Sequence, residues 1–259
     1  MISFFRKIRQ KLLSDLTADK AGNRVTRYLA YALGEIMLVV IGILIALQVN
    51  NWNENRKTKA AEQKLLTSLL EEFESNAVIL DKTIGLNESI IEAGKKIGEF
   101  TGPSIENFDE LELSKVMVGA FKFEPRFVPN QGTIEETINT GKLSILSNPE
   151  LRRAITNWQS DLERVKRQED YVLVRRDLAH DYFINSGNFR RHLDIIDDSL
   201  IEAGQSRFPS NNFKFLEEQG FESKLYLFIV ASANLNQVFY PALRTQTESI
   251  ISLIKKELN

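Results

Sequence analysis

One uninterrupted apolar stretch, Leu29–Val49 (LAYALGEIMLVVIGILIALQV), dictates the solvent in which part of this chain must fold. The 23 residues from Tyr28 to Asn50 make roughly 34 Å of helix, against a hydrocarbon core of about 30 Å. Twelve residues of Leu29–Val49 are Leu, Ile or Val, each favouring insertion by about 0.3–0.6 kcal/mol; the off-centre Glu35 costs at most about 3.5 kcal/mol. Insertion wins, and Tyr28, Tyr31 and Trp52 fall where amphipathic rings prefer the headgroup level. The stretch predicts one transmembrane helix over 28–50. It exceeds the roughly 7–15 apolar residues of a cleaved signal and ends in Gln48-Val49-Asn50-Asn51, with no small-residue cleavage site. It therefore reads as a retained anchor.

Charge orients the anchor. Seven basic residues precede it (Arg6, Lys7, Arg9, Lys11, Lys20, Arg24, Arg27) and four follow closely (Arg56, Lys57, Lys59, Lys64), which places the N-terminus in the cytoplasm. The overall charge of −2 conceals an asymmetry. Residues 1–28 hold seven basic and two acidic side chains, whereas 50–259 hold 26 basic and 32 acidic. The part beyond the anchor is too acidic for a nucleic-acid partner. Zero cysteines exclude disulfides, zinc–thiolate sites, iron–sulfur clusters and thiol chemistry.

Before the anchor, residues 1–16 set Phe4, Phe5, Ile8, Leu12 and Leu16 on one helical face and the basic residues elsewhere, an amphipathic helix suited to the inner leaflet. Within the anchor, Ala30 with Gly34 and Gly42 with Ala46 are two small-xxx-small pairs, which let a second helix approach closely. Glu35 lies seven residues before Gly42, on nearly the same face. Two readings stand side by side: Gly34, Glu35, Gly42 and Ala46 form an association surface, or Glu35 snorkels to the cytoplasmic headgroups.

Beyond the anchor the periodicity is helical throughout, with no strand alternation. Leu66, Leu69, Phe73, Ala77, Leu80, Ile84 and Ile91 predict a long amphipathic helix, weakened at Gly94 and Gly98 and stopped by Gly102-Pro103. Residues 108–121 predict a shorter helix, and KFEPRFVPNQG an irregular stretch. Thr133 with Glu136 reads as a capping box for a short helix ended by Gly141, and Asn148-Pro149 as the N-cap and N1 of the next. That next helix carries a heptad seam, Leu151, Ile155, Trp158, Leu162, Val165, Glu169, Val172, Arg176, Ala179 and Phe183. Tyr171, Val174 and Leu178 add a second apolar side, so cover on more than one face is expected. Ser186-Gly187-Asn188 breaks the helix, and an acidic helical piece surrounds HLDIIDDSLIEAG. A final helix from Phe221 to about Glu257 repeats Leu225, Phe228, Ser232, Leu235, Phe239, Ala242, Gln246, Ile250 and Leu253, kinked at Pro241.

The expected fold is thus all-α: a cytoplasmic basic amphipathic segment over 1–27, a transmembrane helix over 28–50, and an extracytoplasmic antiparallel helical bundle over 51–259. Two stretches, FFRKIRQKLL…YLAYALGEIMLVVIGILIALQVNNWNE and GTIEETINTGKLSILSNPELRRAITNW, resemble a family of uncharacterised bacterial single-span membrane proteins. The basic start, Gly-Glu-Ile at the head of the span, the GILIALQ core and the Asn-Trp-Asn-Glu exit carry the resemblance. It implies an inner-membrane protein with a helical extracytoplasmic domain, and it brings no catalytic residues.

Site chemistry is sparse. His180 and His192 are the two histidines; Asp177-x-x-His180 matches half of a di-iron helix motif, but a second copy is missing. Glu135 and Glu136 point apart on a helix. There is no phosphate loop, nucleophile elbow or H-E-x-x-H. The pairs Arg152-Arg153, Arg175-Arg176 and Arg190-Arg191 read as exposed ion-pair formers, and Glu169 and Arg176 as a buried polar register device or a seam edge. No catalytic, cofactor-binding or metal-ligating residue and no cofactor is assigned. The expected partners are the lipid bilayer and either a second copy or a partner membrane protein. The function expected is a membrane-anchored interaction or scaffold module, with ligand sensing through a partner as a variant; an envelope enzyme with an unrecognised carboxylate or metal site is the alternative.

Overall fold

The computed structural model describes residues 24–104, 109–196, 204–208 and 210–259. Among them every regular element is helical and there is no strand. The expected amphipathic helix over 1–16 lies outside the described residues, as do Phe108 and most of the acidic piece after Ile196. The chain divides into two compact units, Met1–Lys59 and Ala60–Asn259, and helix α1 (Arg24–Gly98) contributes to both.

In the first unit, the side chains from Tyr31 to Trp52 are all exposed. This stretch belongs to one helix long and apolar enough to cross a membrane, near the N-terminus, with none of its apolar window buried.

The second unit is built on two heptad seams. On α1 the buried positions are Leu66, Leu69, Phe73, Asn76, Leu80, Thr83, Asn87, Ile90, Gly94 and Ile97, alternating steps of three and four, with Ile91 beside them. Of the residues expected on this face, Leu66, Leu69, Phe73, Leu80 and Ile91 are buried and Ala77 and Ile84 are half-buried. Sequence periodicity misses Asn76, Thr83 and Asn87, because a polar residue on a seam carries no apolar signal, and it misses Ile90 and Ile97 as well. Gly94 is a packing position as well as a weak helix former: a Cβ there would lie 2.9 Å from Ile229 Cγ1. The expected heptad of α4 (Pro149–Ser186) is buried at all ten positions, and Asn148 caps the helix by accepting from the Glu150 and Leu151 amides. The seams meet at Trp158, which packs edge-on to Phe73 with centroids 5.3 Å apart and donates to Thr247 Oγ1 at 2.9 Å.

Shorter elements complete the unit: α2 (Glu110–Phe121), capped by Asp109; α3 (Gly132–Asn139); α5 (Phe189–Ile196); α6 (Gln219–Asn234); and α7 (Tyr240–Leu258). Two expectations need correction. Thr133 lies inside α3 and does not cap it; Glu72 of α1 does so from outside, accepting from the Thr133 and Ile134 amides at 2.7 and 3.1 Å, while Glu136 pairs with Lys142. The final helix, in turn, is not one register. A π turn, Leu235–Phe239, closes on Tyr240 N–H to Leu235 O and adds one residue to that turn. Directly beyond it the buried face shifts by one: Tyr240, Leu243 and Thr247 are buried, whereas Ala242 is exposed and Phe239 and Gln246 are half-buried; the expected Ile250 and Leu253 are buried.

Candidate functional site

The irregular segment between α2 and α3, Lys122–Gln131, is where the unit's buried polar groups converge. Two prolines keep it out of a helix, so its backbone amides and carbonyls need partners from elsewhere. Long-range side chains supply them. Arg176, on the α4 seam, donates through Nη2 to the Phe121 carbonyl. Two turns earlier, Glu169 Oε1 accepts from the Phe127 amide and the Tyr240 hydroxyl, both at 2.8 Å. The same hydroxyl lies 3.3 Å from the Pro125 carbonyl. Asn76 of α1 makes a two-way clamp: its Nδ2 donates to Asn130 O at 2.8 Å and its Oδ1 accepts from Asn130 N at 2.7 Å. Glu72 then holds the first amides of α3.

Glu169 and Tyr240 are 1% and 0% exposed. Burial pushes the Glu169 carboxyl above its ordinary value, against the pull of the Phe127 and Tyr240 hydrogen bonds. Burial and the adjacent Glu169 push the Tyr240 phenol up in turn. Glu169 and Arg176 do not bond each other; Glu169 holds the segment at Phe127, and Arg176 holds the last carbonyl of α2 directly before it. They are thus the buried polar pair of the seam, acting on a neighbouring backbone. With Pro125 and Phe127 turned inward, Phe123, Glu124, Arg126 and Val128 are presented to solvent, Phe123 at 50% and Val128 at 71% exposure.

A second polar cluster sits where α2 meets α5. Ser114 Oγ and His192 Nδ1 are 2.7 Å apart, and both residues are 0% exposed. A serine–histidine contact is half of a nucleophilic arrangement, but full burial puts it out of reach of a substrate. Burial holds the His192 pKa down to about 4, with Glu110 pulling the other way. Glu110, gripped by Arg191 at 2.7 Å through two parallel bonds and by Asn211 at 3.0 Å, has its carboxyl held below the usual range. His180 stacks on Phe121 with centroids 4.9 Å apart. Among the described residues no cluster of three or more His, Asp or Glu is placed to hold a metal ion. The arginine pairs are drawn into the fold: Arg152 donates to the Leu146 carbonyl, Arg175 lies over the Tyr171 ring at 4.5 Å, and Arg191 holds Glu110.

Among the described residues, the expected cover over the second face of α4 is absent. Tyr171, Val174 and Leu178 are 43%, 55% and 39% exposed. Tyr171, with Leu227 and Val230 of α6, borders a shallow cleft of about 490 Å³, whose polar lining is the uncharged Gln168, Asn234 and Gln237.

In the first unit, Gly34, Glu35, Gly42 and Ala46 all lie on the exposed apolar helix, and a Cβ added at Gly34 or Gly42 would meet nothing within 4 Å.

These features define an all-helical protein with one helix of membrane-spanning length and composition and a polar-strapped segment in its second unit. The chain belongs to a family of unknown function, DUF6090, which it matches over residues 35–173, more than half its length. That match runs from Glu35 through the strapped segment to Leu173 of α4. No curated protein and no solved structure matches the chain.

Proposed function

We propose that this chain is a single-pass inner-membrane protein that holds an antiparallel helical bundle outside the cytoplasm and uses the strapped segment Lys122–Gln131 to bind a partner protein. The observation that carries this reading is the use of Asn76, Glu169 and Tyr240 to hold one irregular segment whose flanking helix ends are fixed by Arg176, on the Phe121 carbonyl, and by Glu72, on the Thr133 and Ile134 amides. Three of these, Asn76, Glu169 and Tyr240, are at most 1% exposed. Buried polar groups fixed on backbone give a preorganised surface, which lowers the ordering cost of binding. An exposed aromatic, an arginine and a valine on a rigid base have the character of an interface anchor. The basic segment before the span and the resemblance to single-span bacterial membrane proteins support the location and orientation.

A photo-crosslinking residue at Val128 should trap one discrete partner in native membranes. Phe123→Ser together with Arg126→Glu should abolish that product while leaving the far-UV circular dichroism unchanged. An unchanged crosslink in this variant overturns the assignment of the segment.

Within the span, Gly34, Glu35, Gly42 and Ala46 are proposed to line a weak helix–helix contact, in which Glu35 is hydrogen-bonded across the groove. Such contacts contribute about 0.6–2 kcal/mol each. Gly42→Leu should reduce the proximity of spans measured by fluorescence transfer in membranes, and Glu35→Leu should reduce it more than Glu35→Gln. Equal transfer in all variants leaves Glu35 as a snorkelling residue.

A further inference from the structure

We infer that α5 is an acid-released latch: protonation of His192 frees this helix from α2 while α1, α4, α6 and α7 stay packed. Eight residues long, α5 has little stability of its own, so its seat on the bundle is what holds it. Its one fully buried side chain is His192; Leu193, Ile195 and Ile196 are half-buried and Phe189 is exposed. A leucine at the buried position would hold a short helix shut at any pH. A histidine there makes the hold conditional on the charge of the ring.

The surroundings of that ring admit one protonation state. Nδ1 lies 2.7 Å from Ser114 Oγ, whereas Nε2 is buried with no hydrogen-bond partner. Nε2 lies beside the break between α4 and α5, where a Cβ added at Gly187 would stand 3.5 Å from it. The Phe183 and Phe213 rings flank the imidazole with centroids 4.5 and 6.0 Å away. A neutral ring with its hydrogen on Nδ1 donates to Ser114 and leaves Nε2 as a bare acceptor. The imidazolium carries hydrogen on both nitrogens, so Nε2 becomes a charged donor with neither acceptor nor water, which the closed form does not accommodate. Burial accordingly holds the pKa down to about 4. The charges that act on the ring are Glu110 of α2, which favours protonation, and Arg191 of α5, which opposes it. From α4 it meets Phe183 and Gly187, and from the stretch before α6 it meets Phe213; His180, the other histidine, stacks on Phe121.

Once the ring is charged, little else keeps α5 in place. Among the described residues its hydrogen bonds to other helices all go to α2, at Ser114 and, one turn earlier, at Glu110, which Arg191 grips. Arg191 and Glu110 are 22% and 26% exposed, within reach of water on release. The remaining side-chain bonds stay local: Asn188 donates to Asn211 and Ser206, and Arg190 to the Gly204 carbonyl. Release therefore breaks no hydrogen bond of either seam, and it bares the face of α2 that carries Glu110 and Ser114.

Hydrogen exchange of the full-length protein in detergent, corrected for the intrinsic effect of pH, tests this. The freed ring titrates at its ordinary value of 6.5, so protection over 189–196 should fall by about thirtyfold between pH 7.5 and pH 5 while α4 and α6 stay protected. His192→Asn, which does not titrate, should abolish this pH dependence whatever its protection at pH 7.5. Glu110→Gln should keep it, because Arg191 holds the pKa of that carboxyl below 4.5. Protection that is flat with pH, that falls equally in α4 and α6, that still falls thirtyfold in His192→Asn, or that stops responding in Glu110→Gln would each overturn the inference. The contrast between α5 and α4 is read on the unmodified protein, so it decides even where His192→Asn does not fold.

Discussion

Glu169 shows how a buried carboxyl on a helix seam acts when no opposite charge bonds it. Its Oε1 satisfies two donors that have no water to turn to, the Phe127 amide and the Tyr240 hydroxyl. Hydrogen-bond capacity and not charge is what the site needs. Glu169→Gln keeps an acceptor oxygen in place and removes the desolvation penalty, so it should change stability by less than about 1 kcal/mol at pH 7. Glu169→Leu leaves both donors unpaired and should cost about 2–4 kcal/mol in urea unfolding. A similar loss in both variants would show that the negative charge itself is required.

His192 titrates in the opposite sense to Glu169. Its folded pKa of about 4 lies below its ordinary value of 6.5, so the unfolded chain binds more protons between these limits. Stability from the neutral ring is complete above pH 6.5 and is lost as pH falls toward 4, by on the order of 2–3 kcal/mol. Glu169, with a raised folded pKa, regains stability on acidification from that raised value down to 4.5. Glu110, whose pKa Arg191 holds below 4.5, loses its own contribution only as pH falls below 4.5. His192→Asn, which can keep a bond to Ser114, should lower the melting temperature at pH 7.5 and flatten its decline between pH 6.5 and 4.5. A decline as steep as that of the unmodified protein would assign the acid sensitivity elsewhere.

At the scale of elements, α3 begins with a cap borrowed from another helix. Eight residues long, it has little stability of its own, and its first amides meet the Glu72 carboxylate, favoured at a helix N-terminus by charge as well as by hydrogen bonding. Glu72→Ala should cost about 1–2 kcal/mol, and hydrogen exchange should speed up at Thr133 and Ile134 before it does in α4. Uniform loss of protection would mean that the contact serves packing. The π turn before α7 is a second device of this kind. Pro241 lacks an amide hydrogen and its ring crowds the carbonyl four residues back; the wider turn directly ahead relieves that crowding and resets the buried face to Tyr240, Leu243 and Thr247.

For the whole molecule, the proposal that the acidic second unit lies outside the cytoplasm rests on flanking charge. A reporter active only outside the cytoplasm should work when fused after Asn259 and fail when fused at Met1. The opposite pattern would overturn the orientation. Mutating Arg6, Lys7, Arg9 and Lys11 to Glu should erode the asymmetry in this assay, since lysine and arginine near the span set its direction.

The amino-acid sequence by itself determined the apolar helix, the all-helical class, the ten-residue seam of α4 and the Asn148-Pro149 start. Each is written in apolar periodicity or in residues whose backbone preferences act locally. Only the tertiary structure decided what Asn76, Glu72, Glu169 and Tyr240 do. A polar side chain on a seam has the same periodicity whatever it bonds, and its partners lie 42 to 115 residues away. The shift at the π turn was hidden for a related reason. Phe239, Ala242 and Gln246 match one helical face while Tyr240, Leu243 and Thr247 match the next. Local pattern does not choose between them, and the core does so by burying Tyr240 against Glu169.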